Sequence, residues 1–269
     1  MGLKEEYLSF KRDNRLKPSI FEDRVKLQLF LRDRLEDIWR EGPRLSHKGL
    51  FTNHMTSFSI GFAYYDCRPT SFCKVLCYGL PLSGVNDFYM FRLAVLTTES
   101  LKTNLKQFLI PLHEMVRPLT HLKIGHWGDA LVDHVPPVLR LAQDNSHTTF
   151  WWYTKKIEVA TAANRDAPTN LKAYLSLDPD SEYPPPARYP YGFTYLFQDG
   201  YHHPLEREIL GDSRLVAVFR VKKCNRNKNG ILYPKMCPVK GYSTGDERTT
   251  TVCLKCLGKC NFRPLPQKC

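Results

Sequence analysis

The sequence contains no run of about 18 apolar residues, the length that a helix needs to cross a lipid bilayer. Its first 13 residues, MGLKEEYLSFKRD, are polar where a secretory signal peptide would carry an apolar segment. We therefore expect a cytoplasmic protein with no membrane partner. The sequence also lacks a P-loop, a GxGxxG fingerprint and a nucleophile elbow, so none of these motifs indicates a function.

Acidic residues are few relative to basic ones. The 27 Asp and Glu residues face 39 Lys and Arg residues, which leaves a formal net charge of +12. An excess of this size favours nucleic acid or a phosphate-bearing substrate as partner, because phosphates are attracted and counterions are released. A basic surface without such a partner is the alternative, since the charge is spread along the chain. The sequence does not predict an oligomeric state.

The apolar pattern predicts an α/β protein. Residues 1–18 are expected to form a loose arm, and a capping box of Ser19 and Glu22 predicts a helix to about Arg40. Further helices are expected at 87–97 and 99–116. Short apolar runs predict strands at 58–65, 121–125, 148–153, 171–177, 193–197 and 214–221. We predict three parts: an arm and helix (1–50), a partial (β/α) barrel (51–223) and a small Cys-rich metal module (224–269).

Polar residues follow the predicted strands. Asp129 comes after the strand at 121–125, and Thr154 and Lys155 come after the strand at 148–153. Parallel α/β sheets carry their chemistry where the carboxyl ends of the strands meet the loops. We therefore predict that these three residues line a catalytic pocket.

Three cysteines leave the first predicted strand in close succession. Cys67, Cys73 and Cys77 lie within eleven residues of one another, so their thiolates can converge on one metal centre. Thiolates are the soft ligands that iron–sulfur clusters require. Three ligands on a 4Fe-4S cluster would leave one iron open for a small molecule or for a fourth ligand. Buried cysteines that act only as small apolar side chains are the alternative.

A second group of cysteines lies near the carboxyl terminus. Cys237 is followed by Cys253, Cys256 and Cys260 in a segment with little apolar content. Such a segment cannot bury enough surface to fold alone, so a bound metal is the natural source of folding energy. The CxxC spacing suits either a second iron–sulfur cluster or a structural zinc ion. Cys224 and Cys269 are assigned to neither group.

The order of these motifs resembles the gene-88-product family of phages and plasmids. The motifs are CRPTSFCKVLCYG, LKIGHWGDA, WWYTKK and the Cys-rich tail, and they extend over roughly residues 55–260. The resemblance implies that the cysteines, the Gly-Asp pair and the Tyr-Thr pair belong together. It does not indicate a reaction. The basic segment at 222–235 has no counterpart in the family pattern.

The layout also resembles radical S-adenosylmethionine enzymes, in which a three-Cys loop follows the first strand of a partial barrel. The resemblance implies that Gly128, Asp129 and Tyr78 contact S-adenosylmethionine, with the Asp129 carboxylate near the ammonium group of the ligand. The Cys spacing here is x5 and x3, whereas that family has CxxxCxxC. The alternative is that Gly128 forms a turn and Asp129 caps the helix that continues through Leu141.

Three smaller sites have alternatives of their own. His126 could bind a metal or carry a proton, and His202 with His203 could bind zinc, although each is more often a structural residue. Asp178, Asp180 and Glu182 could hold Mg²⁺ or Mn²⁺, or could form an ordinary polar turn.

Our leading hypothesis for the function of the protein is a radical-SAM-like iron–sulfur enzyme. The alternative is a zinc-stabilised nucleic-acid-binding protein without catalysis.

Overall fold

The computed structural model describes residues 2–40, 59–76, 87–125, 127–198 and 201–220. Within these ranges several helices pack against one face of a β-sheet. The helices are α1 (Leu3–Asp13), α2 (Phe21–Arg32), α3 (Leu35–Arg40), α4 (Ser71–Leu76), α5 (Asp87–Lys102), α6 (Lys106–Val116), α7 (Val135–Asp144), α8 (Ile157–Arg165) and α9 (Glu206–Gly211). Short 3-10 helices lie at Tyr64–Asp66 and Val132–His134.

Six parallel strands form one sheet in the order of the chain. They are β1 (Ser59–Ile60), β2 (His121–Ile124), β3 (Thr149–Thr154), β4 (Leu171–Leu177), β5 (Phe193–Phe197) and β6 (Leu215–Arg220). The predicted α/β class and five of the predicted strands, β2 to β6, are confirmed within two residues at each end. Across the described ranges β1 and β6 do not pair, so the sheet is open.

The two faces of the sheet differ in what they contact. Alternate side chains point to opposite faces of a strand. Leu122, Ile124, Phe150 and Trp152 on one face share a hydrophobic core with residues of α5 to α8. We call the opposite face the aromatic face. Strand register places the following side chains on it: Lys123, Trp151, Tyr153, Tyr174, Ser176, Thr194, Leu196, Ala217 and Phe219.

The amino-terminal arm is a packed helix, so the prediction of a loose arm is wrong. Leu3 and Tyr7 of α1 are buried. The Tyr7 hydroxyl donates to the Asp87 carboxylate at 3.0 Å, and the Lys11 ammonium pairs with the same carboxylate at 2.6 Å. Sequence pattern missed this helix because its few apolar side chains are spread among charged ones.

Several predicted boundaries are also wrong. The helix expected from Ser19 to Arg40 is divided into α2 and α3, and Ile20, without a side-chain cap, precedes α2 in place of the predicted capping box. The strand expected at 58–65 pairs only over Ser59–Ile60. The break between the two helices expected at 87–97 and 99–116 lies later, at 103–105 between α5 and α6, where Asn104 has a positive φ of 52°.

A search of the described helices finds none that is both long enough and apolar enough to span a bilayer.

Candidate functional site

The segment that carries the first cysteines lies between β1 and α5. Cys67 directly follows the 3-10 helix Tyr64–Asp66, and Cys73 is the third residue of α4. Both side chains are partly exposed. Cys77 and Tyr78 lie outside the described residues, as do His126 and all the cysteines of the tail. The structure therefore positions two of the three predicted front ligands.

A buried carboxylate connects this segment to the end of β4. Asp178, fully buried, directly follows β4. Its Oδ2 accepts a hydrogen bond from the Thr70 hydroxyl at 2.7 Å and forms an ion pair with the Lys155 ammonium. Its Oδ1 accepts from the Ser181 hydroxyl at 2.9 Å and the Asp180 amide at 3.1 Å. Four donors thus compensate the burial of this charge.

The neighbouring carboxylate caps α4 from outside the helix. Asp180 Oδ2 accepts from the Phe72 amide at 2.7 Å, and its Oδ1 accepts from the Tyr201 hydroxyl at 2.7 Å. The Phe72 and Tyr201 rings stack with centroids 5.6 Å apart. Within the same segment the Cys73 amide donates to the Thr70 hydroxyl at 3.0 Å. The acidic turn after β4 therefore holds the start of the Cys73 helix by two independent contacts.

Lys156 binds the Cys segment at its amino-terminal end, next to Cys67. Only 5% of Lys156 is exposed, and its ammonium donates to the carbonyl oxygens of Asp66 and Ala130, each at 2.7 Å. Asp66 immediately precedes Cys67. Lys156 is therefore a buried bridge between the loops after β1 and β2.

Asp129 lies behind this bridge and is almost completely buried. Its Oδ1 accepts from the Thr154 hydroxyl at 2.6 Å and the Ala130 amide at 2.9 Å, and its Oδ2 accepts from the Lys155 amide at 3.0 Å. Burial raises the pKa of the Asp129 carboxyl, while these hydrogen bonds and the Lys156 ammonium oppose the rise. The three predicted pocket residues are thus brought together, with the carboxylate oriented toward its own chain.

The glycine before Asp129 allows a close approach between two loops. Gly128 has a φ of +67°, and a Cβ there would lie 1.9 Å from the carbonyl oxygen of Phe62. The Phe62 amide donates to the Trp127 carbonyl at 2.8 Å. Only glycine fits this combination of backbone conformation and contact. Gly128 therefore packs the loop after β2 against the chain that leads from β1 to Cys67.

The structure does not support three alternatives. Asp129 does not cap a helix, because α7 begins at Val135 with His134 at its N-cap position. The described residues, which include Asp178, Asp180 and Glu182, contain no group of three His, Cys, Asp or Glu able to hold a metal. His202 contacts Glu206, and His203 contacts the Ser181 carbonyl, so these adjacent histidines point to different partners.

Three contributors were missed from the sequence. Thr70 and Tyr201 contact the acidic turn from segments 108 and 21 residues away, and Lys156 reaches Asp66 across 90 residues. Thr70 lies between Cys67 and Cys73, so a polar residue inside the Cys segment was a signal for such a contact. The sequence holds no comparable signal for Tyr201.

Comparison with known proteins places the chain in a family. A family model described as Gene product 88 matches residues 31–255 of the chain. No curated protein and no solved structure matches it. The matched range includes all six strands of the described sheet, the first three cysteines, Cys224, and two of the four tail cysteines, Cys237 and Cys253.

Proposed function

The chain belongs to the gene product 88 family. From the three closely spaced cysteines that follow β1, we propose that it is an iron–sulfur protein. Cys67, Cys73 and Cys77 would hold a 4Fe-4S cluster at the carboxyl edge of the sheet. The observation that carries the proposal is the attachment of the Cys segment to that edge through Asp178, Asp180 and Lys156. These contacts hold the backbone at Asp66, Thr70 and Phe72, next to Cys67 and Cys73.

The donor set fits the group. Cys67 and Cys73 are both partly exposed, and soft thiolate ligands suit iron. When bound, a cluster of this kind supplies an electron. The protein's own residues would position a substrate and exclude water beside it. Asp129 would keep Lys155 in place at the rim, since its carboxylate accepts a hydrogen bond from the Lys155 amide and from the buried Thr154 hydroxyl.

We further propose that the sheet is the wall of a partial barrel. The strands follow the chain order without a reversal, so right-handed crossovers place the connecting helices on one face. The rings of Tyr153 on β3 and Phe219 on β6 meet edge to face at 6.0 Å. Three strand spacings separate these positions by roughly 14 Å in a flat sheet. Their contact favours a sheet that curves around the aromatic face.

This geometry supports a radical-SAM-like enzyme over other iron–sulfur proteins. The small molecule at an open iron position would then be S-adenosylmethionine, and the loop of Gly128 and Asp129 would support that position from behind, since the Asp129 carboxylate binds its own chain. The tail cysteines, Cys237, Cys253, Cys256 and Cys260, would hold a second cluster or a zinc ion that folds the carboxyl-terminal module.

Metal analysis of the full chain tests the proposal. Protein purified without oxygen should be brown, absorb near 400 nm and contain about four iron atoms for the front cluster alone. Serine substitution of Cys67, Cys73 or Cys77 should remove about that amount of iron. Cys224→Ser is the matched control and should keep the iron of the unsubstituted protein.

Two results would contradict the proposal. Iron content that is unchanged by all three front substitutions would exclude the front cluster. Colourless protein that contains zinc and no iron would favour the alternative, a zinc-stabilised nucleic-acid-binding protein, for which the net charge of +12 is the supporting observation.

A further inference from the structure

The backbone of Lys156 is fixed between the end of β3 and the start of α8. Its amide donates to the Thr154 hydroxyl at 3.1 Å, and its carbonyl oxygen accepts from the Ala160 amide at 3.0 Å in the first turn of α8. The long side chain loses its rotamer freedom on burial. The two carbonyl oxygens that it contacts therefore define the position of the ammonium.

One of these contacts fixes the peptide bond that leads into Cys67. The Lys156 ammonium donates to the Asp66 carbonyl oxygen at 2.7 Å. On the other side of the same peptide bond, the Cys67 amide donates to the Tyr64 carbonyl oxygen at 3.0 Å. A peptide bond is planar, so contacts at both of its polar atoms fix its orientation. Lys156 thus helps to determine where the Cys67 residue begins.

The positive charge of Lys156 is close to Cys67. The Asp66 carbonyl oxygen lies about 2.8 Å from the Cα of Cys67 across a trans peptide, so the ammonium lies within about 6 Å of that Cα. Both acceptors of the ammonium within the described residues are neutral carbonyl groups. The carboxyl groups of Asp66 and Asp129 interact with the charge at longer range, and Asp129 also accepts three hydrogen bonds from its own chain. The charge is therefore only partly compensated.

We propose that Lys156 is a positioning residue of the front cluster, which holds Cys67 in place for the metal and raises the reduction potential of the centre. This inference rests on the proposed iron–sulfur function. Residues that hold a metal ligand from behind contribute to metal affinity. Reduction adds one negative charge to the centre, so a nearby cation stabilises the reduced form more than the oxidised form. Burial keeps water from screening this interaction.

Substitutions of Lys156 in the full chain, purified without oxygen, test the proposal. Lys156→Met removes the ammonium, Lys156→Gln keeps an uncharged donor, and Lys156→Arg keeps a charged one. Lys172→Met is the matched control, because it removes an exposed lysine at the amino end of β4, at the opposite edge of the sheet. The front cluster is identified by the electron paramagnetic resonance signal of dithionite-reduced protein that Cys67→Ser lacks.

The charge and the hydrogen bonds of Lys156 affect different measurements. Lys156→Met should lose iron to a chelator about tenfold faster, as for other residues that support a metal ligand. The front cluster of Lys156→Met and of Lys156→Gln should be about tenfold harder to reduce, which is a fall in potential of about 59 mV for a one-electron couple. Lys156→Arg should keep the potential, since it keeps the charge. Lys172→Met should match the unsubstituted protein in both measurements.

Three results would overturn the proposal. They are an unchanged potential in both uncharged variants, an equal change in Lys172→Met, and failure of both uncharged variants to fold, which would make Lys156 a structural residue only. Front iron that does not depend on Cys67 would instead remove the proposed cluster and this inference with it. The two failures are distinct, because the first three results leave the iron of the unsubstituted protein in place.

Discussion

The three acids of the turn after β4 are expected to differ sharply in their contributions to stability. Asp178 is fully buried and accepts four hydrogen bonds, Asp180 accepts two from outside its own turn, and Glu182 makes only an exposed ion pair with Arg188. The sequence presents these acids as one polar cluster. The structure assigns each a different environment.

The magnitudes follow from burial and partners. Removal of one member of a buried ion pair costs 3–5 kcal/mol, and Lys155 keeps 19% of its side chain exposed, so Asp178→Ala should cost about 3 kcal/mol. Asp180→Ala leaves the Phe72 amide and the Tyr201 hydroxyl without this acceptor and should cost about 1–2 kcal/mol. Glu182→Ala should change stability by about 0.5 kcal/mol or less, since exposed ion pairs contribute little.

Two measurements on the full chain check this order. Urea unfolding gives the loss of stability for each variant. Alkylation of Cys73 by iodoacetamide, followed by peptide mass spectrometry, reports on the start of α4, and it should be faster in Asp178→Ala and Asp180→Ala. The rate in Glu182→Ala should equal that of the unsubstituted protein. Equal destabilisation by all three substitutions, or an unchanged alkylation rate in all of them, would refute the reasoning.

Three further predictions concern the loops beneath this site. Gly128→Ala should lower the free energy of unfolding in urea by about 3 kcal/mol or more, because the positive φ and the contact with the Phe62 carbonyl exclude a Cβ. The control, Gly211→Ala, adds an atom with nothing within 4 Å and should not destabilise the protein; equal effects of the two substitutions would contradict this. Asp129→Asn should cost about 1–3 kcal/mol, because an amide NH₂ would face a donor, either the Lys155 amide or the Thr154 hydroxyl; an unchanged melting temperature would show that these bonds are unimportant. Burial lowers the pKa of His134 to about 4. As the pH falls below about 6.5, the imidazole is therefore protonated in the unfolded chain but stays neutral in the folded protein. Stability should therefore fall by about 2–3 kcal/mol as the pH drops from 6.5 to 4, and His134→Asn should remove that part of the slope; an identical slope in both would assign it to other groups.

Where the sequence predicted the fold correctly, the signal was local. The strands β3 and β5 are almost continuous apolar runs bounded by polar residues, as expected for strands buried on both faces. Their parallel order then brings Asp129, Thr154 and Lys155 to one edge. Helix α1 was missed because its few apolar side chains are spread among charged ones and its Tyr7 hydroxyl bonds to Asp87, which lies 80 residues away.

The amino-acid sequence by itself determined the α/β class, most strand positions and the family, because these depend on short-range apolar periodicity and on the spacing of motifs. It also identified Asp129, Thr154 and Lys155 as neighbours, since all three follow strands of one parallel sheet. Only the tertiary structure decided the separate roles of Asp178, Asp180 and Lys156. Their partners, Thr70, Phe72 and Asp66, are distant in sequence, and the burial that makes each contact strong exists only in the folded chain.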